Sequence, residues 1–171
     1  PCAGGAVYSP AMTDFIFMVD DSSYMFVTGP DVVKTVTHEE VTPEELGGAS
    51  VHTKKSGVAD LSFENDVEAI LQTRTFIDFL PVNNREKPPR WPTEDSAHRA
   101  EPSLDTLIPA ESTKPYDIKE VITKVADEGD FFELQPNYAQ NIVIGFIRLQ
   151  GTTIGVVANQ PMVLAGSLDI N

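Results

Sequence analysis

The chain has 171 residues, of which 41% are hydrophobic and 22% are charged. This is the composition of a globular protein, and it excludes wholesale disorder, a collagen-like repeat and a membrane-spanning helix. Acidic residues outnumber basic ones 26 to 12, which gives a net charge of −14. That charge repels phosphate backbones and anionic lipid surfaces, so neither nucleic acid nor a membrane is expected as a partner. The single cysteine, Cys2, excludes an internal disulfide and argues against a structural zinc site.

Prolines divide the chain into three predicted parts. Seven of the 13 prolines lie between residues 81 and 116, a density that is typical of a linker. We therefore predict a folded domain over residues 1–80, a linker over 81–116 and the start of a second domain over 117–171. The chain does not begin with methionine, and we expect it to be an excerpt of a longer protein.

Short strands and helices are predicted in the first part. Residues 14–19 and 24–28 are apolar, β-branched and aromatic, and a polar turn cluster separates them, which predicts two buried strands. Residues 30–36 begin with Pro-Asp, which is typical of a first helical turn. Residues 42–48 begin with Thr-Pro and end with Gly-Gly, which predicts a second short helix.

The strongest helical periodicity begins at Ser62, a predicted cap, and ends at about Leu80, before Pro81. Apolar residues recur there at helical spacing. They predict one buried face, formed by Phe63, Val67, Ile70, Leu71 and Ile77.

Mixed elements are also predicted after the linker. Asp117 is expected to cap a helix with an apolar face, and Gly129 to close it. Two strands follow, over residues 142–149 and 153–158, with a hairpin turn at residues 150–151. The continuous apolar character of these strands predicts burial on both faces. Together the elements of the chain indicate an α/β fold.

Two adjacent glycines near the start, Gly4 and Gly5, form a candidate oxyanion hole together with Ala6. Glycines let backbone N–H groups approach a ligand oxygen without a Cβ in the way, and a helix that starts just after them adds the positive end of its dipole. The alternative is an ordinary tight turn or packing contact, which glycine pairs form more often.

Two further segments are candidate substrate-binding sites. Thr28 and Gly29 lie between a predicted strand end and a helix N-terminus, where phosphates or carbonyls often bind. Gly47, Gly48 and Ala49 form a second glycine-rich segment that could be a ligand loop. The alternatives are an ordinary strand-to-helix joint and a plain turn.

The remaining polar candidates are histidines and amides. His52 follows the second glycine-rich segment, but a lone histidine beside two lysines is more often a solvated loop residue. His38 and His98 are interpreted as surface residues. Asn159 and Gln160 end the last predicted strand, where amide side chains could contact a polar cofactor, or could simply form a turn. The acidic clusters are interpreted as solvated helix ends, so no bound metal is expected.

Several short motifs follow one another along the chain: PCAGGAVYSPAMTDF at 1–15, FVTGPDVVK at 26–34, ELGGA at 45–49, FENDV at 63–67, PNYA at 136–139 and GVVANQP at 155–161. In this order and spacing they resemble the carboxyltransferase (beta) subunits of biotin-dependent acyl-CoA carboxylases, propionyl-CoA carboxylases above all. The resemblance covers the whole chain, and the ordered set is far more specific than any single motif.

The resemblance implies an architecture and a reaction. Such subunits have two crotonase-like domains, each a β-β-α superhelix, joined by a proline-rich connection and assembled as a homo-hexamer. This chain would hold the C-terminal part of the first domain and the start of the second. The implied reaction moves a carboxyl group from carboxybiotin to the α-carbon of propionyl-CoA, giving methylmalonyl-CoA, with the enolate held at Gly4, Gly5 and Ala6. The second oxyanion loop would lie beyond Asn171, so the chain alone is expected to be inactive.

The resemblance also implies partners and a location. Biotin would be carried by a biotinylated alpha subunit with biotin carboxylase, and acyl-CoA would be the substrate. The protein would be cytoplasmic in a bacterium and would lie in the mitochondrial matrix of a eukaryote. Two alternatives stay open: the carboxyltransferase subunit of a methylmalonyl-CoA decarboxylase, and a crotonase-like assembly module without turnover.

Overall fold

The computed structural model describes residues 1–170, and they form two structural units that meet between Thr73 and Arg74. This division lies ahead of the proline-rich residues 81–116. It falls inside the helix Asp66–Ile77, so Phe76 and Phe79 belong to the second unit, within which they pack against Phe132 and Phe146 with ring centroids 5.4 to 6.1 Å apart.

The first unit contains two pairs of parallel strands. Cys2 pairs with Met25, and Phe17 pairs with Leu61. Its strands are β1 (Cys2–Ala3), β2 (Phe17–Val19), β3 (Met25–Phe26) and β4 (Leu61–Phe63); its helices are α1 (Tyr8–Ala11), α2 (Pro30–Thr37), α3 (Pro43–Gly47), α4 (Ala49–Val51) and α5 (Asp66–Ile77), with a 3₁₀ turn at Gly4–Val7 and a π-helical turn at His52–Ser56.

A small core holds these elements together. It contains Val7, Ile16, Met18, Met25, Ala49 and Ala59. The core draws one or two residues from each of several short elements, so burial here compensates for strands of only two or three residues. The two strands predicted over 14–19 and 24–28 are confirmed, in shorter form, as β2 and β3.

The two short helices predicted from their first-turn residues are also confirmed. α2 begins at Pro30, and α3 begins at Pro43. Thr42 and Glu45 form a reciprocal capping box: the Thr42 hydroxyl accepts the Glu45 backbone N–H, and the Glu45 carboxylate accepts the Thr42 N–H. This arrangement satisfies N–H groups that a helix start leaves without acceptors.

The prediction of a helix capped by Ser62 is wrong. Ser62 lies inside β4, and the backbone of residues 61–63 pairs with β2 and so does not start a helix. α5 begins only at Asp66, and the side chain of Asn65 accepts the N–H of Glu68 at 3.0 Å. Because Phe63 belongs to the strand, it packs edge-on against Phe17 and not along the helix.

The predicted buried face of this helix is also corrected. Val67, Ile70, Leu71 and Ile77 are 57 to 68% exposed, whereas Phe76 is buried. Within the described residues, therefore, the helix uses its end rather than its apolar stripe for packing. The periodicity was interpreted correctly as helix, but it did not identify the side that is covered.

The second unit is built on a three-stranded antiparallel sheet of order β5-β6-β7. Its strands are β5 (Phe131–Leu134), β6 (Ile142–Leu149) and β7 (Thr152–Asn159); its helices are α6 (Leu104–Leu107) and α7 (Ile118–Val125), with 3₁₀ turns at Asp127–Gly129 and Leu164–Gly166. α7 is capped by Asp117 as predicted. It ends at Val125, so Gly129 closes the 3₁₀ turn that follows and not the helix itself.

The hairpin of β6 and β7 is confirmed, but burial on both faces is not. Along β6, buried and half-buried residues alternate, and Val143 and Ile147 join Ile122 and Ala126 of the α7 side in the core. β7 is half-buried or exposed along its length, with Val157 75% exposed. An antiparallel sheet can leave one face uncovered, which explains the difference.

The proline-rich residues 81–116 are irregular apart from α6, and they are bound to the second unit. The Trp91 N–H donates to the Gly151 carbonyl at 2.9 Å. The Arg99 guanidinium donates to the carbonyls of Lys124 and Ala126, so a positive charge lies at the C-terminal end of α7. Among the described helices, none has both the length and the apolar content needed to cross a membrane.

Asp127 anchors the hairpin turn. Its buried carboxylate accepts the N–H of Gln150 at 3.0 Å and that of Gly151 at 2.7 Å. Both turn residues have positive φ, 51° and 71°, as a two-residue hairpin turn requires. The Asp127 side chain therefore connects the 3₁₀ turn after α7 to the turn between β6 and β7.

Replacing Asp127→Asn should destabilise the protein by about 1.5–3 kcal/mol, because one of the two acceptor oxygens becomes an NH₂ group that faces an N–H donor. Urea unfolding followed by circular dichroism measures the change. Asp130→Asn is the matched control, since Asp130 is exposed and makes a long ion pair with Arg148, at 3.4 Å. This substitution should lower the free energy of unfolding by less than about 1 kcal/mol. Equal losses from both variants would contradict the anchoring role.

Candidate active site

The candidate oxyanion turn lies where β1 passes into a helical segment. Gly4 has φ of 61°, in the left-handed region that favours glycine, and it begins the 3₁₀ turn that continues into α1. N–H groups in the first turn of a helix have no acceptor within the helix. Within this 3₁₀ turn, however, the Ala6 N–H bonds back to the Ala3 carbonyl, and the register of β1 on β3 turns the Gly4 N–H toward β3. The Gly5 N–H is therefore the donor that the turn can offer to a ligand oxygen.

The space around the two glycines differs. A Cβ added to Gly4 would lie 3.9 Å from the Val27 carbonyl oxygen, whereas a Cβ added to Gly5 would have no atom within 4 Å. Gly5 is exposed. The absence of a side chain at Gly5 thus leaves open space beside the turn, which is what a bound substrate would need.

The second glycine-rich segment packs against β3. A Cβ at Gly47 would collide with the Met25 carbonyl oxygen, and one at Gly48 would collide with the Glu44 carboxylate. Gly48 also forms an isolated antiparallel bridge with Tyr24, and Ala49 is fully buried. Gly47 is therefore a site of close backbone approach, which is the physical reason for glycine there, whereas a Cβ at Gly48 meets only the end of the flexible Glu44 side chain.

An open, largely apolar cleft of about 400 Å³ lies beside the oxyanion turn. It is lined by Val7, Tyr8, Ala11, Met25, Phe26, Val27, Leu46, His52 and Val58. The cleft brings the segments after β1, β3 and α3 to one place. Thr28 and Gly29 follow directly on Val27, and a Cβ at Gly29 would lie 3.5 Å from the Phe26 ring. The cleft is thus lined by sequence neighbours of the candidate residues, since Val7 follows Ala6, Val27 precedes Thr28 and Leu46 precedes Gly47.

His52 is a residue that sequence reasoning missed. It was interpreted as a solvated loop residue, but it is only partly exposed and both of its ring nitrogens are bonded. Nε2 lies 2.7 Å from the Met25 carbonyl oxygen, and Nδ1 lies 2.8 Å from the Ser56 hydroxyl. The His-x-x-x-Ser spacing of one helical turn was the available signal.

Asn159 and Gln160 belong to the second unit and have bonds of their own there. The buried Gln160 side chain donates to the Asp117 carboxylate at 2.7 Å and accepts the Ile118 N–H at 3.3 Å. Asn159 donates to the Gly166 carbonyl at 2.6 Å. The Gln160 amide thus joins the end of β7 to the start of α7, and a substrate contact for either residue stays a prediction.

Charged groups around the cleft are few. Lys54 and Lys55 are exposed in the π-helical turn, whereas Lys34 pairs with Glu40 at 2.6 Å. The Thr42 backbone N–H and hydroxyl, which both bond the Glu45 carboxylate, lower the pKa of Glu45, and Lys55 adds a smaller effect in the same direction. Over residues 1–170, no cluster of three His, Cys, Asp or Glu side chains could hold a metal ion.

Three comparisons with known proteins cover the whole chain. A family model described as the carboxyl transferase domain matches residues 1–171. The chain is 70% identical to the propionyl-CoA carboxylase beta chain of Roseobacter denitrificans, over all of this chain and 34% of that protein. It is 53% identical to methylmalonyl-CoA decarboxylase subunit alpha of Propionigenium modestum, over all of this chain and 33% of that protein.

A solved structure is similar over the same length. The crystal structure of transcarboxylase 12S, which describes hexamer assembly and contains methylmalonyl-CoA and methylmalonic acid, superimposes with a TM-score of 0.95 at 45% identity. The match covers 100% of this chain and 33% of that chain. The chain thus spans about a third of the length of the relatives it matches.

The capping box at Thr42 and Glu45 predicts a pH dependence of stability. The folded state lowers the pKa of Glu45 from 4.5, so its contribution is present above the unfolded pKa and is lost as the pH falls through the folded one. Glu45→Gln should therefore be less stable than the parent protein at neutral pH, and the gap should close as the pH falls below the ordinary pKa of a glutamate carboxyl and through the lowered pKa of Glu45. Urea unfolding across this range measures it.

The matched control for this experiment is Glu39→Gln, an exposed glutamate in the loop before the capping box. Its substitution should leave the pH dependence of the unfolding midpoint unchanged. A gap for Glu45→Gln that stays constant down to acid pH would contradict the assigned role of the carboxylate.

Proposed function

Because this chain belongs to the carboxyl transferase domain family, we propose that it forms part of the carboxyltransferase of a biotin-dependent propionyl-CoA carboxylase. The observation that carries the proposal is the turn at Gly4, Gly5 and Ala6, which presents the exposed Gly5 beside an apolar cleft of about 400 Å³. The 70% identity to a propionyl-CoA carboxylase beta chain supports propionyl-CoA as the substrate.

The proposed task of these residues is to stabilise an enolate. Removing the α-proton of an acyl thioester places negative charge on its carbonyl oxygen, and preorganised N–H donors lower the energy of that charge. The turn at Gly4, Gly5 and Ala6 supplies such a donor at the Gly5 N–H, and the apolar lining of the cleft gives the acyl group a surface to pack against. Carboxybiotin, delivered by a partner, supplies the carboxyl group and the base that takes the α-proton. No acid-base pair from this chain is then required.

The wider assembly is proposed on the same grounds. We assign to each unit a place in a crotonase-like domain built on a β-β-α superhelix, with the chain contributing to a homo-hexamer of beta subunits that works with a biotinylated alpha subunit. The similarity to transcarboxylase 12S, whose structure describes hexamer assembly, supports the hexamer. The second oxyanion site, for biotin, is assigned to a part of the protein outside these 171 residues.

A second candidate function is decarboxylation of methylmalonyl-CoA. The 53% identity to methylmalonyl-CoA decarboxylase subunit alpha favours it, and an enolate-stabilising turn serves either direction of carboxyl transfer. The two are separated by testing the intact protein with its biotin-bearing partner. ATP-dependent fixation of labelled bicarbonate into propionyl-CoA supports the carboxylase, and release of CO₂ from methylmalonyl-CoA without ATP supports the decarboxylase.

Gly5→Val should lower carboxylation by about 100-fold in the intact protein, because the side chain would occupy the space that the substrate oxygen needs and remove access to one donor. Folding should survive, since a Cβ at Gly5 meets no atom within 4 Å. Steady-state kinetics and the melting temperature measure the two effects.

Gly155→Val is the matched control, because a Cβ at this exposed glycine in β7 likewise has no atom within 4 Å. It should keep near-normal turnover. Near-normal turnover of an assembled Gly5→Val protein would remove the oxyanion turn from the mechanism.

A further inference from the structure

We propose that His52 is a positioning residue, which holds strand β3 in the register that places the oxyanion turn. The inference rests on the proposed function of that turn and adds a residue to it. His52 does not need to touch the substrate for this role. It acts through the Met25 carbonyl, which its Nε2 reaches at 2.7 Å across a separation of 27 residues.

The partners of the imidazole determine its tautomer. A carbonyl oxygen can only accept a hydrogen bond, so Nε2 carries the proton and donates to Met25. In the neutral ring Nδ1 is then an acceptor, and the Ser56 hydroxyl, 2.8 Å away, donates to it. The same hydroxyl accepts the Val58 N–H at 3.3 Å. Each of these polar atoms therefore has a matched partner.

The bond from His52 is made to the side of β3 that faces away from β1. The Cys2 N–H donates to the Tyr24 carbonyl at 2.7 Å. Because successive carbonyls of a strand alternate in direction, the Met25 carbonyl points to the opposite side. A Cβ at Gly47 would collide with this same oxygen, so the α3–α4 segment also lies on that side.

Strand β3 in turn determines where the oxyanion turn begins. Cys2 is registered on Met25 and Ala3 on Phe26, and Gly4 follows directly. β1 and β3 have only two residues each, so few ladder bonds resist a shift of one strand along the other. The added bond from His52 to Met25 supplies a restraint that the short ladder lacks.

The turn that carries His52 is itself well held. His52–Ser56 is a π-helical turn, and single π-turns are frequent at functional sites. The buried Thr53 hydroxyl donates to the Ala49 carbonyl at 2.8 Å, and Ala59 donates to the His52 carbonyl at 3.2 Å. The imidazole therefore projects from a fixed backbone, as a positioning role requires.

Two conservative variants separate the roles of the two ring nitrogens. The amide of glutamine reaches the place of Nε2, and the shorter amide of asparagine reaches only the place of Nδ1. In the intact protein with its partner, His52→Asn should lower kcat for propionyl-CoA carboxylation by about tenfold or more, with little change in KM. His52→Gln should stay within about threefold of the parent kcat.

Hydrogen–deuterium exchange of the peptide that covers residues 1–8 provides a readout besides activity. Its amides should exchange faster in His52→Asn and at the parent rate in His52→Gln. His38→Asn is the control, because His38 is exposed and its φ of 61° is one that asparagine tolerates. It should change neither kinetics nor exchange in this peptide.

The kinetic and exchange results test the positioning role of His52 separately from the proposed function. If the parent protein carboxylates no acyl-CoA but the exchange pattern is as expected, the positioning role stands and the proposed function fails. If His52→Asn retains the parent kcat and exchange, or if an assembled His52→Gln protein is as impaired as His52→Asn, the positioning role is overturned.

Discussion

The two residues of β3 are the constraint on which the candidate site depends. Met25 and Phe26 receive β1 on one side, and the Met25 carbonyl meets His52 and the Gly47 backbone on the other. A strand this short has no redundant pairing, so each bond to it affects position as well as stability. The turn at Gly4, the cleft and the glycine-rich segment after α3 all take their places from it.

Local chemistry made much of the fold predictable from the sequence. The helix start at Thr42-Pro43, the cap at Asp117 and the hairpin turn at Gln150-Gly151 each depend on contacts within a few residues, and the sequence predicts all three; the reciprocal bond from Glu45 is a finding of the structure. The family resemblance was confirmed by a match over residues 1–171. For the site, the glycine pair indicates a turn followed by a helix, and the structure has a 3₁₀ turn at Gly4–Val7 that continues into α1; its role as an oxyanion hole stays a prediction.

Tertiary contacts explain what the sequence did not predict. Ser62 has the chemistry of a helix cap, but pairing of β4 with β2 outweighs it. The apolar stripe of α5 has helical spacing, yet nothing in that spacing tells which neighbour covers it. His52 was missed because its partner, the Met25 carbonyl, is a backbone atom 27 residues away. A backbone acceptor has no residue-type signature, so the sequence could indicate only the other contact of the ring, to Ser56.

The hydrogen bonds of the proline-rich residues 81–116 indicate where the chain tolerates proteolytic cleavage. The turn at Asn83 to Glu86 has hydrogen bonds within itself and none to another element among residues 1–170, whereas Trp91 and Arg99 bond to the hairpin turn and to the end of α7. Proteases need a segment that can leave the surface and adopt an extended form. A proteolytic cut or an insertion is therefore best tolerated near Asn83. One near Arg99 would break the hydrogen bonds of its side chain to the Lys124 and Ala126 carbonyls.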